Sequence, residues 1–326
     1  MKVLVTGGNG FIGGYVCERL ADLGHEHAIF DHVHRTPYSC AHGEGGLYVG
    51  DVRDEVAVFE AVYHSDGVIH LAGVLGTQET IANPKPAIET NILGSMNVFK
   101  ACELYKKKCV YVAVGNHWMN NPYSITKTTA ERFALMLNKE RGTQIAIVRG
   151  LNAYGPRQKI GPVRKIMPNF IVPALQGKPI TIYGDGSQVM DMIYVSDLAD
   201  ILCRALLVEH GIYDKVFEAG TGRATTVLQI AEKVIHAAAG GTISFKPMRP
   251  GEPAHSEVMG DPATLKPLYP GADNLTFDIY GNSEQWPFVD RDRQWGPFVE
   301  LAVGIERTID YYRALLEQHK SQEVFA

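Results

Sequence analysis

Two groups of residues in this chain have the types and spacing for chemistry. The first is Thr6-Gly7-Gly8-Asn9-Gly10-Phe11-Ile12-Gly13, set between a short apolar run and a helical pattern. In a strand-turn-helix of this kind Gly7 permits the tight turn, Gly10 lets the backbone approach a pyrophosphate, and Gly13 lets helix and strand pack closely. The helix that starts at Phe11 and Ile12 offers free N–H groups and partial positive charge to the phosphates. Asp31 ends the next strand, 18 residues beyond Gly13. There a carboxylate can accept hydrogen bonds from the ribose hydroxyls of an adenosine. It also repels a 2′-phosphate, which favours NAD over NADP, although His32, His34 and Arg35 follow closely and soften the repulsion. Asp51, after the third strand, is placed to reach the adenine edge. The second group is Tyr123 and Lys127, one helical turn apart and so on one helix face. A phenol with pKa about 10 is a poor base near neutrality. A nearby ammonium favours the phenolate, and bringing its pKa to neutrality takes about 4 kcal/mol.

These residues need a scaffold, and the first 150 residues supply its pattern. Short apolar runs at 2–6, 26–30, 47–49, 68–72, 109–114 and 144–149 alternate with amphipathic stretches at 11–23, 55–64, 84–106 and 122–139. That alternation buries a parallel sheet between helices, so the expected fold is α/β, a doubly wound parallel sheet of Rossmann type. Beyond Gly150 the texture changes to frequent Gly and Pro, which predicts a smaller C-terminal α/β substrate-binding domain over 151–326. Helices are expected there at 195–209, 226–238 and 299–317, and a strand and helix near 180–220 are expected to return to the first sheet. The aromatic-rich stretch 267–297, with Trp286 and Trp295, reads as an irregular insertion that either stacks on a base or packs on the core.

Composition narrows the function classes. The 326 residues are 45% hydrophobic and 21% charged with formal charge −5, an ordinary globular balance that speaks against nucleic-acid or membrane-surface partners. Five cysteines, Cys17, Cys40, Cys102, Cys109 and Cys203, have no metal-like spacing, so no metal is expected and they read as reduced packing residues. Met1 runs directly into a strand, and no apolar run approaches a membrane span, so a cytoplasmic protein is expected.

Further motifs extend the picture: Gly50-Asp51-Val52, His70-Leu71-Ala72-Gly73, Asn91-Ile92-Leu93-Gly94, Tyr123-Ser124-Ile125-Thr126-Lys127, Asn152-Ala153-Tyr154-Gly155-Pro156-Arg157 and Arg249-Pro250-Gly251-Glu252. With the glycine turn, these resemble the extended short-chain dehydrogenase/reductases of the nucleotide-sugar epimerase and dehydratase type, over nearly the whole chain. The resemblance implies that Gly7, Gly10, Phe11, Ile12, Gly13, Asp31, Asp51, Val52, Leu71, Ala72, Gly73, Asn91, Tyr123 and Lys127 bind NAD. It implies that Tyr123 removes a sugar hydroxyl proton while the carbon beneath gives hydride to NAD, with Lys127 also on the nicotinamide ribose. It implies a nucleotide-diphosphate sugar as substrate, contacted by Asn152, Asn169 and Arg249, the last gripping the diphosphate with its planar fork. Thr77, in the loop 74–83, is among the polar groups expected at the sugar. A homodimer through the helices at 84–106 and 122–139 is also implied; Met96, Phe99, Leu104, Phe133, Leu135 and Met136 give apolar surface for it or else face the sheet.

The sequence departs from the family in three places. The Ser or Thr that relatives place at the end of strand five falls on Val114 or Gly115, and the connection to Tyr123 is short. Asn116, His117, Ser124 or Thr126 then has to donate the missing hydrogen bond, and His117 can also move a proton. The Asp-Glu pair of the dehydratases is absent, which weakens a 4,6-dehydratase relative to a 4-epimerase; a dehydratase, decarboxylase or reductase of the same family is the alternative enzyme. An NAD-binding sensor with little turnover is the alternative of a different class. A second phosphate arginine is replaced by Met190, so the phosphate grip is expected to be weaker or to pass to Arg157, Lys159, Arg164 or Lys165.

Overall fold

A computed structural model describes residues 1–33, 46–163, 165–209, 212–269 and 298–324. His34, Arg35, Cys40, Arg164 and residues 270–297, with Trp286 and Trp295, lie outside the described residues. The first half runs β1 (Lys2–Thr6), α1 (Phe11–Asp22), β2 (Glu26–Asp31), β3 (Leu47–Val49), α2 (Glu55–Tyr63), β4 (Gly67–His70), α3 (Lys85–Ala87), α4 (Ser95–Tyr105), β5 (Lys108–Val114), α5 (Pro122–Arg141) and β6 (Ile145–Gly150). The second half adds β7 (Asn152–Tyr154), α6 (Ile166–Leu175), β8 (Pro179–Tyr183), β9 (Val189–Tyr194), α7 (Val195–Leu207) and β10 (Val216–Ala219). It continues with β11 (Ala224–Thr226), α8 (Val227–Ala238), β12 (Thr242–Lys246), β13 (Glu257–Val258) and α9 (Leu301–Val324).

Seven parallel strands form the main sheet in the order β10-β6-β5-β4-β1-β2-β3. Its inner strands are apolar at successive positions because helices cover both faces. Val3, Val5, Val110, Val112, Ala146 and Val148 share one core layer with residues of α1 and α7. The alternate residues Leu4, Cys109, Tyr111, Ala113, Ile145 and Ile147 share the other with α2, α4 and α5. The chain reverses direction across the sheet where β4 is laid beside β1, and this opens a crevice at the carboxyl ends of the two strands.

The helices that border the crevice have local causes. Helix α5 starts at Asn121, whose Oδ1 accepts from Ser124 N at 3.0 Å, has Pro122 in its first turn, and stops at Gly142 with φ +65°. The periodicity of 84–106 predicts one helix, but a π turn, Ile88–Gly94, separates α3 from α4. The widened turn accompanies Asn91, whose side chain bonds to groups outside the helix, a competition that periodicity does not register. Helix α9 starts at Leu301 and continues to Val324, past the end expected at 317.

The remaining elements build a second lobe. Strand β9 is flanked by β11, β13 and β7, while β8 pairs with β12. Its core joins α6, α8 and α9 through Phe170, Ile171, Ile230, Val234, Ile305 and Tyr312. Strand β10 extends the main sheet beyond β6, and α7 covers that sheet beside α1.

Candidate active site

The glycine turn is shaped by backbone contacts that leave no room for side chains. Gly7 has φ +73°, and a Cβ there would lie 2.9 Å from Ala72 N. A Cβ on Gly13 would lie 2.3 Å from Gly7 O, so helix and strand close only over glycine. At Gly10 a Cβ would meet a single protein atom, Gly7 O at 3.0 Å, leaving the rest of its approach free for a pyrophosphate. No side chain caps α1 at Gly10, so its first N–H groups, from Phe11 and Ile12 onward, remain available to an anion. Asp31 is buried at the end of β2, accepts from Asn9 N at 3.1 Å and Val33 N at 3.3 Å, and has His32 Nδ1 at 3.1 Å. A carboxylate has about four acceptor positions, so ribose hydroxyls can still be accommodated. The cradle and its carboxylate therefore fit NAD.

Other residues expected around the cofactor are more committed. Asp51 is held by the Arg53 fork, with Nε at 3.0 Å and Nη2 at 2.6 Å, and this partner holds its carboxyl below the usual carboxylate range. The expected free reach to adenine is thus shared with an ion pair. Val52 is buried against Gly94. At the exit of β4, Leu71 N donates to Thr6 O, Ala72 N donates to Thr6 Oγ1 at 3.2 Å, and Gly73 lies against Asn91 Oδ1. Asn91 is fully buried: Oδ1 accepts from Val74 N at 2.8 Å, and Nδ2 donates to Val74 O and Thr126 Oγ1, each at 3.0 Å. Both its amide hydrogens are used in holding protein, so its side chain ties the loop after β4 to α5.

Tyr123 and Lys127 project from the first two turns of α5. Tyr123 is half-buried and Lys127 is 5% exposed, with its Nζ 4.3 Å from the centre of the Tyr111 ring. Tyr111 Oη donates to Lys127 O at 2.9 Å, so one tyrosine touches both ends of the lysine. Burial pushes the Tyr123 phenol up to about 12 and the Lys127 ammonium down to about 7. The ammonium and the nicotinamide were expected to favour the phenolate together, and without the cofactor the phenol stays high. Dehydration disfavours the charged form of each group, and Lys127 faces an aromatic ring. Ionising a phenol from about 12 at neutral pH takes about 7 kcal/mol, which leaves a larger share to charges brought by cofactor and substrate.

At the end of strand five, where the hydroxyl is missing, a Cβ on Gly115 would fall 2.4 Å from Leu151 Cδ1, so a side chain there requires the end of Leu151 to shift, and Val114 is buried. Of the candidate replacements, Thr126 is spent: its hydroxyl donates to Pro122 O at 2.7 Å. Asn116 Nδ2 lies 3.5 Å from Met119 Sδ, and His117 Nδ1 lies 3.2 Å from Gly115 O. Ser124 Oγ is buried with no hydrogen-bond partner among the described residues.

On the substrate side, Arg249 binds Glu252 through Nε at 3.1 Å and Nη2 at 2.5 Å and stacks on Tyr183 at 4.7 Å. Glu252 also accepts from Thr77 Oγ1 at 3.2 Å, joining the loop after β4 to the Arg249 turn. A cavity of about 320 Å3 opens beside them, lined by Trp118, Met119, Asn120, Gly251, Glu252 and Pro253. Asn152 Nδ2 donates to Asp191 O at 3.1 Å, and Asn169 is half-buried on α6. Arg157, one of the candidates for the phosphate grip, is paired in this structure. Its fork binds Glu18 at 2.5 and 2.7 Å and stacks on Tyr15 at 3.9 Å, which directs it to α1. Lys165 is pushed down by burial, with Glu79 nearby acting against that shift. Sequence reasoning missed Tyr111, Glu252 as the Arg249 partner, and His70. The signal for Tyr111 was its place in β5 beside the register of His70.

Among the described residues no cluster of His, Cys, Asp or Glu could hold a metal, and no helix is long and apolar enough to cross a membrane. Residues 3–220 match the profile of the NAD dependent epimerase/dehydratase family. The chain is 30% identical over 257 residues to a UDP-N-acetyl-alpha-D-glucosaminuronate decarboxylase of Bacillus cytotoxicus, covering 72% of this chain and 79% of that protein. It is 26% identical to UDP-glucuronic acid decarboxylase 1 of Xenopus tropicalis, covering 99% of this chain and 74% of that protein. A crystal structure of the Thermus thermophilus UDP-glucose 4-epimerase in complex with NAD superposes with TM-score 0.78 at 26% identity, covering 96% of this chain and 99% of that chain.

Proposed function

Since the chain belongs to the NAD dependent epimerase/dehydratase family, we propose that it is a nucleotide-sugar 4-epimerase in which Tyr123 takes and returns the proton of the C4 hydroxyl. The observation that carries this reading is the connection ahead of Tyr123, Gly115-Asn116-His117-Trp118-Met119-Asn120-Asn121, which contains no carboxylate. Elimination of water needs a further acid and base beside the sugar, whereas epimerisation moves one proton off and back onto the same oxygen. NAD, when bound, supplies the acceptor and donor of hydride at C4.

The residues divide the remaining work. Gly7, Gly10, Gly13 and Asp31 hold the dinucleotide. Lys127, in its ammonium form, stabilises the Tyr123 phenolate once cofactor charge is present. Arg249 exchanges Glu252 for the diphosphate and keeps the nucleotide in place while the sugar turns over. Thr77, Asn152 and Asn169 are assigned to the sugar nucleotide on the same reading. With its Nδ1–H donating to Gly115 O, His117 has an Nε2 that accepts while neutral and donates once protonated, which suits a proton shuttle in place of the absent hydroxyl. Self-association is assigned to α4 and α5, where Leu104 is 60% exposed and Phe133 and Met136 are also exposed. Phe99, open in the sequence between that surface and the sheet, is buried in the core.

A second reading, decarboxylation of a nucleotide uronic acid, is favoured by the names of the two decarboxylase relatives. Oxidation at C4 makes the C5 carboxylate a β-keto acid, which loses carbon dioxide to leave an enolate that takes a proton at C5 before hydride returns to C4. NAD-loaded protein incubated with UDP-, GDP-, CDP- and dTDP-sugars, with products read by NMR, separates the readings. A C4 epimer is expected. Loss of carbon dioxide from a uronic acid would replace the first reading by the second, and binding without turnover would overturn both.

A further inference from the structure

A line of buried polar side chains joins the two halves of the site, and the proposed chemistry leaves it unused. His70, the last residue of β4, is fully buried, with Nδ1 2.7 Å from Thr6 Oγ1 and Nε2 3.0 Å from Ser95 Oγ. Ser95 donates its only hydroxyl proton to Asn91 O at 2.6 Å, so it accepts from His70 and the network assigns the Nε2–H tautomer. Thr6 then donates to Nδ1, while its oxygen accepts from Ala72 N at 3.2 Å. Beyond Ser95 the line continues through Asn91 Nδ2 to Thr126 Oγ1 at 3.0 Å, and from Thr126 to the carbonyls of Pro122 at 2.7 Å and Tyr123 at 3.1 Å.

Each member thus has a partner on both sides, a condition under which a buried polar network rigidifies its surroundings. One end is Thr6, at the start of the glycine turn, and the other is the backbone of the first turn of α5. The π turn Ile88–Gly94 brings Asn91 into the line. Packing adds a second link, because His70 lies 5.9 Å from the Tyr111 ring and Tyr111 in turn carries Lys127. Burial, and secondarily the Lys127 ammonium, push the imidazole down to about 3, so it stays neutral and keeps one donor and one acceptor.

We propose that His70 is a positioning residue for Tyr123 and Lys127, setting the first turn of α5 against the glycine turn of the cofactor site. The proposal rests on Tyr123 being the proton acceptor. His70 itself stays covered by Thr6, Ser95, Phe99 and Tyr111, so it acts through the line and not on the sugar.

Two variants test it in NAD-bound protein. His70→Phe keeps a ring against Phe99 and Tyr111 but removes both hydrogen bonds, while His70→Gln restores a donor and an acceptor. Isotope-labelled tyrosine, with the Tyr123 signal assigned through its loss in Tyr123→Phe, reports ionisation of the phenol by NMR. His70→Phe is expected to raise the apparent Tyr123 pKa by about one and lower kcat about tenfold, with KM for the nucleotide sugar within about twofold. His70→Gln should recover most of both changes. Ser95→Ala, which cuts the same line at the next member, should shift both readouts in the same direction and provides the test if His70→Phe does not fold. A folded His70→Phe protein with wild-type Tyr123 titration and kcat overturns the proposal. Equal losses in both His70 variants that track only thermal stability overturn it as well. If the wild type turns over no sugar, the proposed function fails, and the Tyr123 titration alone still decides the role of His70.

Discussion

The turn after β1 and the connection after β5 both face the crevice, yet they are built on opposite principles. The first is backbone: a Cβ at Gly13 would sit 2.3 Å from Gly7 O, so local sterics dictate the shape and the shape is the binding site. The second depends on remote side chains. Leu151 fills the space beside Gly115, Tyr111 supports Lys127, and Asn91 reaches across from a π turn to Thr126. A site made of backbone is specified within a dozen residues, whereas a site made of supported side chains is specified by the whole sheet.

The largest effect that would test this contrast is expected from Tyr123→Phe, which removes the proton acceptor and leaves the glycine cradle intact. Turnover should fall by about 10^3-fold or more while calorimetry shows NAD affinity within about threefold of wild type. Gly13→Ala should do the reverse. Its Cβ cannot fit beside Gly7 O, so NAD affinity should fall by about 10^2-fold and thermal unfolding should show a loss of about 2–3 kcal/mol. A variant that bound NAD normally would break the claim that sterics set this turn.

On the substrate side the comparison is between two arginines. Arg249→Ala should raise KM for the nucleotide sugar by about 10–100-fold with a smaller change in kcat, as expected for a diphosphate contact. Arg157→Ala should leave KM within about twofold and cost no more than about 1 kcal/mol of stability, because its fork is directed at Glu18. Equal effects on KM would return Arg157 to the phosphate site.

A smaller effect concerns pH. Burial lowers Lys127 from 10.5 to about 7, so between those values the unfolded chain holds a proton there that the folded protein has lost. Stability contributed by this group therefore rises with pH across that window, by at most about 1.4 kcal/mol per pH unit. Tyr123, raised from 10.0 to about 12, acts in the opposite sense only above pH 10. Urea unfolding at pH 7 and near pH 9 should show the rise in the cofactor-free wild type and a flatter profile in Lys127→Met.

The doubly wound sheet was legible because parallel strands covered on both faces write continuous apolar runs, as in Val3-Leu4-Val5 and Val110-Tyr111-Val112. Asp31 was legible from its distance to the glycines. The π turn was not, because the periodicity of 84–106 carries no record of where the Asn91 amide finds partners. The partner of Arg157 was not legible either, since its pairing with Glu18 joins positions 139 apart. At Tyr123 and Lys127 spacing placed the pair on one face but gave neither their dehydration nor the Tyr111 ring beneath the lysine.

The central claim is that Tyr123 exchanges the C4 proton, and a crystal structure of Tyr123→Phe protein with NAD and the turned-over nucleotide sugar tests it most directly. The edge of the substituted ring should lie against the C4 hydroxyl, close enough that a restored phenol oxygen would sit at about 3 Å from it. A C4 hydroxyl held by another side chain, with the ring at position 123 turned away from it, would contradict the claim.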